Sequence, residues 1–269
     1  MASETIGVIG AGNMGLAIIK GLITAEVYEA HNIFIYDIDS HREEIALKEG
    51  VSVTHSIEKM GETVDVVILA VKPATAEEAL LHLKGAPKKT PVISICAGIT
   101  TRAIEAVLPE HPVVRVMPNT PCMIGEGASA VAKGTYATEE HVHRAVRIMS
   151  ALGYVAEIPE DLMDAVTGLS GSGPAYAAVM IDALTEGGVR MGIPRKIALK
   201  LAAQTVYGTA RMILDKGMEP SSLRDMVTSP GGTTAEGLWA LERNAFRWSL
   251  IDAVEAATMK ARELGKTIE

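Results

Sequence analysis

Short apolar runs alternate with longer, helically periodic stretches through the first half of the chain, and only the longer stretches continue in the second. Ile6-Gly7-Val8-Ile9 reads as a buried strand, Leu16 to Ile23 as an apolar helix, and Ile33-Phe34-Ile35-Tyr36 as a second strand. A charged helix, Arg42 to Lys48, leads to a weak strand at Val51 to Val53. From Val66 to Val71 the run is continuously apolar, the pattern of a strand buried on both faces. A helix over Thr75 to Leu83, a strand over Pro91 to Cys96, a helix near Arg102 to Val107 and a strand over Val113 to Met117 keep the alternation going. Ser129 to Ala132, a helix over Glu139 to Leu152 and a strand over Tyr154 to Ile158 complete it. This order predicts an α/β fold built on a doubly wound parallel sheet.

The pattern changes near Pro159 to Asp164. Beyond it Ala, Leu and Met recur at helical spacing and no strand-like run appears, so the chain divides into an N-terminal sheet domain, 1–163, and a C-terminal all-helical domain, 164–269. Gly171-Ser172-Gly173-Pro174 reads as a helix start with Ser172 as N-cap. The helix from there to Met191 is apolar round most of its circumference and is expected to be deeply buried. Helices over Arg195 to Leu214, Pro220 to Val227, Thr234 to Glu242 and Phe246 to Leu264 follow. A helix set this apolar, with no sheet of its own, needs a covering surface, and a second copy is the simplest one.

The first strand runs into Gly10-Ala11-Gly12-Asn13-Met14-Gly15, a G-x-G-x-x-G between strand and helix. Gly10 allows a tight turn, Gly12 lets the backbone approach a pyrophosphate, and Gly15 lets helix and strand pack closely. The helix that follows offers N–H groups and a positive dipole end to phosphates. Asp37 closes the second strand, 22 residues past Gly15, near the spacing at which a carboxylate meets the adenosine ribose. A Rossmann-like dinucleotide site is therefore expected; the plain alternative is a tight turn in an ordinary βαβ unit. Ligands in such sheets lie beyond the carboxyl ends of strands, which adds Ala70, Val71, Lys72 and Pro73, the pair Ala97 and Gly98, and Asn119 to the candidates. Ala97 and Gly98 have little side chain to obstruct a dinucleotide. Lys72 could reach a phosphate, a ribose or a substrate carboxylate, or simply cap a solvated loop. Asn119 lies in Met-Pro-Asn-Thr-Pro, which is turn chemistry in its own right.

Charge and composition narrow the functional class. The formal net charge is -8, and Lys and Arg are scattered, so no basic footprint for a nucleic acid exists; with ten aromatics in 269 residues, stacking platforms are scarce too. Cys96 and Cys122 make neither a C-x-x-C nor a metal spacing, so no metal site is expected and a reducing cytoplasm is the easier setting. The first strand begins within a few residues of Met1, which leaves no room for a signal peptide, and the longest apolar runs fall far short of a membrane span.

Leu223-Arg224-Asp225-Met226-Val227-Thr228-Ser229-Pro230-Gly231-Gly232-Thr233-Thr234-Ala235-Glu236-Gly237-Leu238 closely resembles the signature of pyrroline-5-carboxylate reductases. The likeness extends along the chain through Gly10 to Gly15, Ala70-Val71-Lys72-Pro73, Arg115 to Pro121 and Ser170 to Tyr176. It implies reduction of 1-pyrroline-5-carboxylate to L-proline, the last step of proline synthesis, by NADH or NADPH, in a homodimer that assembles into a larger ring such as a decamer. Asp37 departs from the small polar or basic residue that many members carry there. Reducing a C=N bond requires a hydride donor against one face of the imine, a site for the carboxylate, and a hydrogen-bonding group at the ring nitrogen. Ser229, Pro230, Gly231, Gly232, Thr233 and Thr234 can supply the last two, because a Pro-Gly-Gly turn opening a helix presents unpaired N–H groups and Thr234 adds a hydroxyl. Thr234, Lys72 and water all remain open as proton donor.

Two other functions compete. A β-hydroxyacid dehydrogenase carries, by resemblance, a G-x-x-G-x-G-x-x-x-K-x-x-x-N in which the lysine moves the hydroxyl proton. Gly168, Gly171 and Gly173 match its glycines, but Ala177 and Ile181 stand at the lysine and asparagine positions. An alcohol needs that relay, whereas an imine can enter already protonated. A dinucleotide-sensing regulator without catalysis is the other, separated from both by a hydride-transfer assay.

Overall fold

The computed structural model describes residues 4–266. Strands β1 (Ile6–Ile9), β2 (Ile33–Tyr36), β3 (Ser52–Val53), β4 (Val66–Leu69), β5 (Val92–Ser94), β6 (Val113–Met117), β7 (Gly127–Lys133) and β8 (Gly153–Glu157) form one sheet in the order β3-β2-β1-β4-β5-β6-β7-β8. The reversal of order between β1 and β4 makes the crevice at which a doubly wound sheet takes its ligand. The sheet is parallel except between β6 and β7. Only nine residues separate those two strands, too few for the helical crossover that a parallel neighbour requires. Helix α6 (Glu139–Ser150) provides such a crossover, and β8 accordingly lies parallel to β7.

Helices cover both faces. Ile18 and Leu22 of α1 (Asn13–Thr24) and Ile148 and Met149 of α6 pack with Ile6, Val8, Ile33 and Ile35 on one side. On the other, α3 (Ile57–Thr63), α4 (Pro73–His82) and α5 (Thr101–Val107) bury Met60, Leu80 and Ile104 against Ile9, Val67 and Leu69. Helix α2 (Ser40–Leu47) buries only Ala46. The sequence pattern shows no helix at α3. At seven residues it is too short for a clear period, and the Ser56 N-cap, accepting from Lys59 N at 3.2 Å, defines its start.

Within the second half, α7 (Met163–Val166) continues through a π turn (Thr167–Gly171) into α8 (Gly173–Arg190). Ser172 has helical dihedrals, φ -86° and ψ -20°, and its N–H donates to Thr167 O, so it lies inside a helical path and is not an N-cap. Helices α9 (Arg195–Lys216), α10 (Pro220–Met226), α11 (Thr233–Arg243) and α12 (Phe246–Lys266) complete the chain. Two compact units result: the described part of Met1–Ser172 with Ala256–Glu269, and Gly173–Glu255. The first unit runs nine residues past the expected division at 163/164, because α7 and the π turn are held to the end of β6.

The unit Gly173–Glu255 has little core of its own. Helices α8 and α9 pack as a pair, yet the buried residues are Thr185, Ala198, Ala202 and Leu223, small apart from the last. The expected deep burial of α8 is not achieved within one chain: Thr185 is its one buried residue, and Val179 is 71% exposed. Met191, Leu214, Trp239 and Trp248 are likewise exposed.

Candidate active site

The glycine loop is shaped by backbone collisions that any side chain would cause. Gly10 has φ +101°, and a Cβ there would stand 2.6 Å from Ala70 O. A Cβ on Gly15 would collide with the Gly10 carbonyl oxygen, so this glycine sets the distance from α1 to the loop. Gly12 faces open space apart from Arg42 Nη1, 3.1 Å from a hypothetical Cβ. Gly12 is also the N-cap of α1. No side chain caps that helix and no acidic residue occupies its first turn, so its leading N–H groups face outward with the positive end of the dipole.

Asp37 is already engaged within the fold. Its Oδ2 accepts from Ala11 N at 2.7 Å and its Oδ1 from Asp39 N at 2.9 Å, which ties the end of β2 to the glycine loop. Each oxygen retains a second lone pair for a ligand hydroxyl. Arg42, on the first turn of α2, lies 3.6 Å from the Asp39 carboxylate. These groups line a cleft of about 580 Å³ together with Asn13, Met14, Ala70, Val71, Lys72 and Thr75. Ala11 and Gly15 are buried beneath it and shape it from below. An adjoining apolar slot between the ends of β1 and β2 and the flank of α4 is walled by Ile38, Ile57, Val71 and Ala79. Ile38 is 86% exposed beside Asp37, on the rim of this slot.

Lys72 is the N-cap of α4, exposed, with no ion pair among the described residues, and Pro73 opens the helix behind it. Ala97 is exposed after β5 and Gly98 has φ +76°. Beneath them Cys96 is buried; its Sγ donates to Val71 O at 3.3 Å, and burial pushes the thiol up to about 11. The thiol braces the edge of the cleft through this bond. Asn119 is buried, with both ends of its amide engaged: Nδ2 donates to Ser170 O at 3.1 Å and Oδ1 accepts from Ala128 N at 2.9 Å.

The remaining predicted residues form the turn before α11 in the other unit. Gly231 has φ +67°, and Gly232 N donates to Ser229 O at 3.0 Å. A Cβ on Gly232 would press on the Ser229 hydroxyl and lie 3.1 Å from Ser229 O, so the turn is close-packed here. Gly232 caps α11 without a side-chain hydrogen bond, leaving the N–H groups of Thr233, Thr234 and Ala235 with no acceptor inside the helix. The half-buried Thr234 hydroxyl makes no hydrogen bond to another described residue. Ser229, Pro230 and Thr233 are exposed around it. Among the described residues there is no cluster of His, Cys, Asp or Glu fit for a metal ion, and no helix long and apolar enough to cross a membrane.

Comparison with known proteins bears on both units. Residues 160–264 match the family described as pyrroline-5-carboxylate reductase dimerisation, and residues 5–98 match NADP oxidoreductase coenzyme F420-dependent. A pyrroline-5-carboxylate reductase of Methanosarcina acetivorans is 44% identical over 269 residues, covering 99% of this chain and 100% of the relative. The structure of a pyrroline-5-carboxylate reductase from Coxiella burnetii is 36% identical with a TM-score of 0.92, covering 97% of this chain and 98% of that one. A Plasmodium falciparum pyrroline carboxylate reductase with NADP bound is 32% identical with a TM-score of 0.87, over 98% and 99% of the two chains.

Proposed function

The chain belongs to the pyrroline-5-carboxylate reductase family, and on that premise we infer that it reduces 1-pyrroline-5-carboxylate to L-proline with NADH or NADPH, holding the dinucleotide at the Gly10–Gly15 edge and the imine at Ser229 to Thr234. The observation that carries the assignment of residues is the presence in one chain of two helix starts built for anions, α1 behind a glycine cradle and α11 behind Ser-Pro-Gly-Gly.

The bound dinucleotide supplies the hydride. The N–H groups of Asn13 and Met14 would receive its pyrophosphate, Asp37 would accept from the ribose hydroxyls, and the slot lined by Ile38 and Ala79 would take the adenine. Ala97 and Gly98 leave room for the nicotinamide end. At α11 the unpaired N–H groups hold the substrate carboxylate, and the Thr234 hydroxyl stands at the ring nitrogen. Hydride adds to the imine carbon, the C=N π pair moves to nitrogen, and an iminium that enters protonated leaves as the neutral amine of the ring. Lys72 serves the carboxylate or a cofactor phosphate as a mobile cation. Ala177 and Ile181, where a hydroxyacid dehydrogenase would need a lysine and an asparagine, provide no relay for an alcohol.

The protein self-associates through its helical domain. The proposal extends to a homodimer, further assembled into a ring, working in the cytoplasm, a setting consistent with two free, buried cysteines.

Thr234→Ala tests the substrate assignment. Loss of one hydrogen bond to a polar or charged group costs roughly 1–3 kcal/mol, or about one to two decades in kcat/KM for the imine. Dinucleotide affinity, followed by nicotinamide fluorescence, should stay within about twofold. A variant that loses dinucleotide affinity but turns over normally when saturated would move this turn to the cofactor.

A further inference from the structure

Arg115, Met117 and Asn119 stand two residues apart along β6 and its extension, so they share one face, and all three engage the segment that follows β8. Arg115, 4% exposed, reaches Glu160 at 3.4 Å and Asp164 at 3.9 Å. Met117 Cε lies 2.8 Å from where a Cβ on Gly171 would be, so the methionine packs directly on the π turn. Asn119 Nδ2 donates to Ser170 O.

The last contact has a chemical cause. A helical carbonyl is normally satisfied by the N–H four residues on, and for Ser170 that residue is Pro174, which has none. The path is helical from Met163 through Ser172, so the missing donor leaves an interior carbonyl to be paired elsewhere. The Asn119 amide cannot turn over to serve it differently, because Ala128 N–H requires its oxygen.

We propose that Asn119 is a positioning residue: its carboxamide replaces the hydrogen bond that Pro174 withholds from Ser170, and thereby fixes the π turn Thr167–Gly171 against the carboxyl end of β6. Resting on the reading that the carboxyl edge of the sheet receives the nicotinamide, the bond would fix the segment that follows β6 at that edge and so keep it in register for hydride transfer. It explains why Arg-Val-Met-Pro-Asn and Ser-Gly-Ser-Gly-Pro occur in one chain: each motif carries half of one contact.

Asn119→Asp keeps the volume and the Ala128 bond while removing the donor, and Asn119→Ala removes both. Hydrogen exchange in the cofactor-free protein should show residues 167–173 at least tenfold less protected in either variant, with kcat for the imine falling about tenfold or more and NADH affinity within twofold of wild type. Adding Pro174→Ala to Asn119→Ala restores a backbone donor and should recover part of both the protection and kcat, while adding nothing to wild type. The proposal fails if protection of 167–173 is unchanged, if NADH affinity falls in step with kcat, or if Pro174→Ala rescues neither. If Asn119→Asp does not fold, the Asn119→Ala pair with and without Pro174→Ala decides alone. Absence of imine turnover by the wild type would refute the functional reading and leave the exchange result to judge Asn119 by itself.

Discussion

On the proposed placing of the dinucleotide at the glycine cradle, Asp37 is the residue that sets cofactor choice. Its carboxylate suits the ribose hydroxyls of NADH and repels a 2'-phosphate, and Arg42, held 3.6 Å from Asp39, can offset part of that repulsion by turning to the phosphate. Both cofactors should work, with NADH the better. Asp37→Ser should lower the NADH-to-NADPH ratio of kcat/KM at least tenfold, and Arg42→Ala should reduce kcat/KM for NADPH alone; an unchanged ratio in Asp37→Ser would remove the residue from this role. Because Asp37 also accepts from Ala11 N, the serine variant should lose some affinity for both cofactors, an effect that spacing from the glycines does not reveal. Cys96 presents a second test. Its thiol is raised from 9.0 to about 11 by burial. Below pH 9 it is protonated folded or unfolded; between pH 9 and 11 the unfolded chain ionises first, so this thiol's own contribution to stability should fall by about 1.4 kcal/mol per pH unit through that window and level off above it. Cys96→Ala should flatten the slope, and iodoacetamide at pH 8 should label Cys96 only in denaturant. Rapid labelling of the native protein would contradict the burial.

The contacts of β6 decide how the sheet passes into the helices. Glu160 accepts from Thr101 N at 2.6 Å and from the Thr101 hydroxyl while pairing with Arg115, so one carboxylate joins the start of α5, the centre of β6 and the segment before α7. Glu160→Ala leaves the buried guanidinium with Asp164 alone at 3.9 Å. Breaking a fully buried pair costs about 3–5 kcal/mol; Glu160 is partly exposed, so about 2 kcal/mol is expected. A urea midpoint equal to wild type at unchanged slope would show that the network contributes nothing to stability. Strands and long helices were legible because burial imposes periods of 2 and 3.6 on the residue pattern. The direction of β7 was not, since nothing in Gly127–Lys133 itself distinguishes a parallel neighbour from an antiparallel one. Ser172 was misread for a related reason: Gly-Ser-Gly-Pro is good N-cap chemistry locally, but the helical path from Thr167 runs through it and its N–H donates to Thr167 O.

The helical unit is unfinished as a single chain. Its buried positions are few and small while Val179, Met191, Leu214, Trp239 and Trp248 lie open to water, apolar side chains that a partner surface would cover. Folding should therefore be coupled to association: light scattering at micromolar concentration should find dimers or larger, and Tm should fall by a few degrees on tenfold dilution. A well-folded monomer with a concentration-independent Tm would overturn this. The strand–helix alternation, the glycine cradle with Asp37, the turn at Ser229 to Thr234 and the need for a partner are all local or compositional, so the order of residues carries them. The cleft behind Asp37, the pairing of Asn119 with Ser170 and the lack of an interior for α8 depend on which distant segments meet. Those follow from packing and from the obligation to satisfy every buried polar group, which no stretch of sequence states on its own.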